Sequence, residues 1–75
     1  MNDYEQKILE RIYQSYVCGG DSLNFKLKKD PRAEKTKKAL EKLEEEGYIT
    51  IVSKTEYNIK AAAADKGIAF GNSAV

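Results

Sequence analysis

The chain has 75 residues, 41% hydrophobic and 33% charged, with 13 basic and 12 acidic side chains and a formal net charge of +1. That length supports one modest core, since so short a chain buries about 60% of the surface its unfolded form exposes. Without histidine and with Cys18 as the one cysteine, it cannot build a Ser-His or Cys-His nucleophile pair, the usual zinc ligand sets or an intrachain disulfide.

In chain order, the first element is an amphipathic helix. Tyr4, Ile8, Ile12 and Tyr16 recur every four residues, and Leu9, Tyr13 and Val17 widen the stripe. Asn2 is placed to cap it, with Glu5 three residues later completing a capping-box pattern. Gly19-Gly20 ends it, because glycine accepts the left-handed conformation found just past a helix. Cys18, at the end of a core helix, is expected to be a small buried hydrophobe rather than a redox sensor.

Asp21 to Lys29 fits two templates. Leu23, Phe25 and Leu27 alternate with polar residues as in a short strand, yet Leu23 and Leu27 are also four apart, as in a helix. From Asp30, an N-cap followed by Pro31 at the first helical position, the spacing predicts a helix to Gly47 with Ala33, Thr36, Leu40 and Leu43 on its inner face. Its outer side carries Lys35, Lys38 and Lys42 on one flank and Glu34, Glu41 and Glu45 on the other. The pairs Glu34–Lys38 and Lys37–Glu41 are four apart in the favourable order.

Tyr48 to Val52 is β-branched and aromatic, a strand by composition, and Glu56 to Ile59 reads as its return, with Ser53-Lys54-Thr55 between them. The run Ala61 to Ala64 has high helix propensity and is expected to open a short last helix through Ile68 and Phe70, weakened by Gly67. Residues 71 to 75 are expected to fray. The whole reads as a single domain, 1–75, with no internal repeat.

Charge is unevenly spread. Residues 26 to 38 hold Lys26, Lys28, Lys29, Arg32, Lys35, Lys37 and Lys38 against Asp30 and Glu34, a local +5, which leaves −4 on the rest. This arrangement opposes the helix macrodipole, which favours acids at a helix start and bases at its end. A basic helix start is also where a helix-turn-helix protein meets the major groove of DNA. No run approaches the roughly 20 apolar residues that span a bilayer, and Met1 to Glu5 lacks the pattern of a secretory signal. Together with the cysteine usage, a reducing cytoplasm is expected.

The stretch Glu34 to Ile49 resembles the recognition helix and first wing strand of winged helix-turn-helix regulators of the MarR and PadR types. The family's Leu-x-x-Leu-x-x-x-Gly-Tyr/Leu-Ile is matched by Leu40, Leu43, Gly47, Tyr48 and Ile49, and the proposed hairpin falls where the wing follows. The resemblance implies a small α+β winged-helix fold, a three-helix core with a β-hairpin wing. It implies a transcription regulator that binds double-stranded DNA as a homodimer, without enzymatic activity, cofactor, metal or membrane. Lys35, Thr36, Lys38 and Lys42 would face the groove, Arg32 and Lys37 would lie at its edge, and Lys28, Lys29 and Lys54 would meet phosphates. Ile8, Ile12, Tyr16, Ile68 and Phe70 would serve as core, as dimer seam, or as both. The rival expectation is a winged helix that binds protein, an adaptor or antirepressor, suggested by the acidic helix end and the low net charge. RNA binding is weaker still, for want of an interleaved basic and aromatic sheet motif.

Overall fold

A computed structural model describes residues 1–74. The order of elements is α1 (Asp3–Val17), β1 (Leu23–Lys26), α2 (Ala33–Glu45), β2 (Ile49–Lys54), β3 (Asn58–Ala63) and α3 (Asp65–Ala74). It is a small α+β fold of three helices on a three-stranded antiparallel sheet, with β3 in the centre and β1 and β2 on its edges.

Local signals set the ends of α1 and the end of α2. Asn2 Oδ1 accepts the Glu5 amide at 2.8 Å and Glu5 Oε1 accepts the Asn2 amide at 3.2 Å, the reciprocal capping box. At the other end Gly19 stands at φ +90°, its amide bonded to Tyr16 O and that of Gly20 to Ser15 O. Gly47, at φ +85°, repeats the arrangement after α2, with its amide on Glu44 O and that of Tyr48 on Leu43 O. Both are Schellman caps, in which a left-handed residue lets the chain fold back over the orphan carbonyls.

The core collects Leu9 and Ile12 of α1, Leu40 and Leu43 of α2, and Ile59 of β3, all essentially without solvent contact. Ile8, Phe25, Leu27, Ala39, Ile49 and Ala61 complete it. The apolar stripe of α1 is buried only in its middle. Tyr16 and Val17 are about half exposed and Cys18 is exposed. The expectation of a buried Cys18 is therefore corrected.

The open question over Asp21 to Lys29 resolves as a strand, Leu23–Lys26, running into a turn. The start of α2 differs from expectation. Asp30 Oδ1 accepts the Arg32 amide at 2.8 Å, and Asp30 O accepts that of Ala33 at 3.1 Å, so Asp30 and Pro31 build a turn and the helix starts at Ala33. Aspartate at the first and proline at the second position of a turn satisfy the same preferences as a helix cap.

The hairpin is displaced along the chain by one to four residues. Ser53 and Lys54 belong to β2, and the tip is closed from Thr55 to Asn58, where the Thr55 amide donates to Asn58 O at 2.8 Å and Thr55 Oγ1 accepts the Asn58 amide. A register shift between Ile51 and Ser53 turns Val52 out to solvent. Ala61 to Ala63 are strand, not helix. Each is paired with a neighbouring strand and Ala61 with both, so ladder bonds outweigh a helix preference of some tenths of a kcal/mol per residue. The last helix then begins at Asp65 and continues through Ala74, so residues 71–74 are helical rather than frayed. Tyr13 Oη donates to Asn72 Oδ1 at 2.6 Å, which ties that end to α1. Position 75, the last of the expected tail, lies outside the described residues.

Candidate nucleic-acid interface

The basic block wraps from β1 through a tight turn into α2. The Leu27 amide donates to Tyr57 O at 2.7 Å, and the Asp30 amide donates to Leu27 O at 3.2 Å, closing the turn around Lys28 and Lys29. Lys28 Nζ lies 5.7 Å from the centre of the Tyr57 ring. The turn is thereby fastened to the tip of the hairpin. Lys29 holds φ +62°, a left-handed conformation that suits glycine or asparagine and costs a lysine about 1 kcal/mol. Lys28, Lys29, Arg32, Lys35 and Lys38 are exposed, and Lys37 is half-buried.

On α2 the inner face is Thr36, Ala39, Leu40 and Leu43. Thr36 is buried, and its hydroxyl shares a 2.5 Å hydrogen bond with Tyr4 Oη. It cannot face a groove, and that expectation is corrected: the spacing that puts Thr36 in line with Leu40 and Leu43 points it inward. Lys35 Nζ lies 4.4 Å from the centre of the Tyr4 ring, so this lysine leans toward α1. Helical geometry sets Glu34, Lys38, Glu41 and Glu45 opposite the buried face, so the outermost strip carries both signs of charge.

Most of the acids have structural partners. Glu44 Oε2 accepts the Ile51 amide at 2.7 Å, Glu41 Oε2 lies 3.5 Å from Lys54 Nζ, and Glu46 Oε1 lies 3.7 Å from Lys42 Nζ. Glu41 thus turns to β2 rather than to Lys37, and Glu34–Lys38 is not an ion pair among the described residues. Of the acidic end of α2, which the macrodipole alone does not explain, Glu41 and Glu44 grip the hairpin and Glu46 pairs within the helix. Lys42 and Lys54, expected at DNA, are each engaged with a glutamate.

The fold brings two further cations to the block. Lys7 and Arg11 of α1 line an open groove of about 790 Å³ with Lys26, Arg32, Tyr4 and Phe25. Arg11 Cζ stacks 5.1 Å above the Phe25 ring. Their four-residue spacing beside Tyr4 and Ile8 was the available signal, but they stand nineteen and fifteen residues before Lys26 in the chain.

Of the expected dimer residues, Ile8 and Ile12 are spent on the core. Phe70 meets Tyr48 edge-to-face at 5.9 Å and is, like Ile68, partly buried, which leaves Tyr16 freely exposed. Among the described residues no helix is long and apolar enough to cross a membrane, and no three potential ligands gather as a metal site. Comparison of the chain with family models, curated proteins and solved structures finds no match.

Proposed function

We propose that this chain is a winged-helix domain that binds double-stranded DNA through the Lys28-Lys29 turn, the hairpin tip and the first half of α2. The observation that carries the reading is the Leu27–Tyr57 hydrogen bond, which holds the basic turn against the wing at the mouth of the basic helix. The sheet order, and a hairpin directly after the helix that ends at Gly47, agree with such a fold.

A turn, not a second helix, stands before α2, so contact would run from turn to helix to wing. Lys28, Lys29, Arg32, Lys35 and Lys38 are the groups free to meet phosphates, and Lys37 lies at the edge. With Glu34 and Glu45 on the same face, affinity comes mostly from phosphate neutralisation and carries little base discrimination. A homodimer would supply the second half-site.

The test is fluorescence anisotropy with a mixed-sequence duplex at two salt concentrations. Four or five phosphate contacts give a slope of log affinity on log salt of about −4. Lys28→Glu with Lys29→Glu, and separately Lys35→Glu with Lys38→Glu, should each abolish binding, while Glu45→Lys should preserve or strengthen it. Absence of binding at low salt overturns the reading in favour of a protein-binding module, for which the outward Glu34 and Glu45 would be the contact.

A further inference from the structure

The two edges of the sheet are not alike. On β2 the Ile51 amide is taken by Glu44, and the bulge at Val52 breaks the regular ladder. On β1 the pairing alternates. Leu27 opposite Tyr57 extends the register Leu23↔Ala61, Phe25↔Ile59, and the Leu27 amide donates to Tyr57 O. In an antiparallel ladder every second residue exchanges both its bonds with the partner strand, and the residues between turn theirs outward. Leu23, Phe25 and Leu27 therefore face β3, and the amides and carbonyls of Asn24 and Lys26 point to the free edge. Asn58 agrees, since its main chain pairs with Thr55 on the other side. No partner meets the main chain of Asn24 or Lys26 among the described residues.

This edge opens onto the groove between α1 and β1. Its walls are Tyr4 and Phe25, and its rim is Lys7, Arg11, Lys26 and Arg32. The one carboxylate there, Asp30, is already bonded to the Arg32 amide. An exposed row of alternating donors and acceptors is a template for another strand. Four residues at about 3.3 Å each give a strip of about 13 Å, room for three or four residues of an extended chain. A phosphate backbone has acceptors only and would leave the Asn24 and Lys26 carbonyls unpaired, whereas a peptide supplies both. The cationic rim selects acidic side chains on that peptide.

We infer that the free edge of β1 docks an extended acidic segment of a partner protein as a fourth strand of the sheet. The inference goes beyond DNA binding, which uses the turn, the wing and the outer face of α2; Arg32, at the corner, borders both surfaces. The probe is a fluorescent nonapeptide of alternating valine and glutamate, titrated into the intact chain and followed by anisotropy. Methylating its alternate amide nitrogens should abolish binding in the frame that faces β1 and spare it in the other. The amides of Asn24 and Lys26 should become at least about tenfold more protected from hydrogen exchange at saturation. Lys7→Glu with Lys26→Glu, both exposed, should weaken the peptide about tenfold or more. Equal binding of both methylated frames, or of a valine–lysine peptide, would overturn the inference. So would loss of duplex rather than peptide binding in the double variant, which would give the groove to nucleic acid.

Discussion

Gly67 is the residue whose replacement by alanine should damage the fold most for its size. A Cβ there would stand 2.1 Å from Tyr48 O and 3.2 Å from a methyl of Leu9. The obstacle at Tyr48 is main chain at the start of β2 and cannot rotate away. The same carbonyl accepts the Ala64 amide at 3.1 Å, and Tyr48 packs edge-to-face on Phe70. Moving α3 outward loses a hydrogen bond of about 1 kcal/mol and part of an aromatic contact of about 1 kcal/mol. Overpacking adds about 1–2 kcal/mol, and the better helix propensity of alanine returns about 1. The net loss of about 2–3 kcal/mol is a large fraction of the 4–11 kcal/mol that about 0.05–0.15 kcal/mol per residue gives such a chain. In a thermal melt followed by circular dichroism Tm should fall by about 10–20 °C. Gly71→Ala meets a side chain instead of main chain: its Cβ would run into the Tyr13 ring as far back as Cγ, so the ring must leave its place and its bond to Asn72, at a cost of about 1–3 kcal/mol. Gly67→Ala as stable as the parent, or stabilised by the propensity gain alone, would refute the described packing of α3.

Thr36→Val should cost about 1 kcal/mol in urea denaturation through loss of the Tyr4 bond, with duplex affinity unchanged. Lys29→Gly should raise stability by up to about 1 kcal/mol by relieving the left-handed lysine, and should flatten the salt slope of DNA binding by about 0.9. Cys18, exposed past the end of α1, should react with an aromatic disulfide reagent in the native protein at a rate close to that in denaturant.

Features written locally were the ones legible in the sequence. Asn2 with Glu5, Gly19 and Gly47 each act within four residues of themselves, and the structure has them as read. The strand nature of Tyr48 to Ile59 was also legible, but its boundaries were not. The turn at Thr55 to Asn58 rests on a side-chain bond from Thr55 that composition does not announce. Ala61 to Ala63 misled because alanine's preference for helix is weaker than pairing within a central strand. Gly67 looked like a flaw in a helix, although it answers a close approach from Tyr48, nineteen residues before it. Of the candidate site, the basic block was visible as a run of charge. Which of its members are free was not, because Lys42, Lys54 and Thr36 are engaged by partners up to 32 residues away.

Glu41 and Glu44 join α2 to β2 at two side-chain points, one to Lys54 and one to the Ile51 amide. Helix and hairpin so bracketed form one arm, its angle fixed at those two points. Work along that arm is divided: the second half of α2 carries the joint, and the first half carries the exposed side chains at Glu34, Lys35 and Lys38. Contact chemistry can therefore be rewritten on the first half without loosening the joint. For an engineer this makes positions 34, 35 and 38 an exchangeable tip, and Glu41 and Glu44 the fitting that must be left in place.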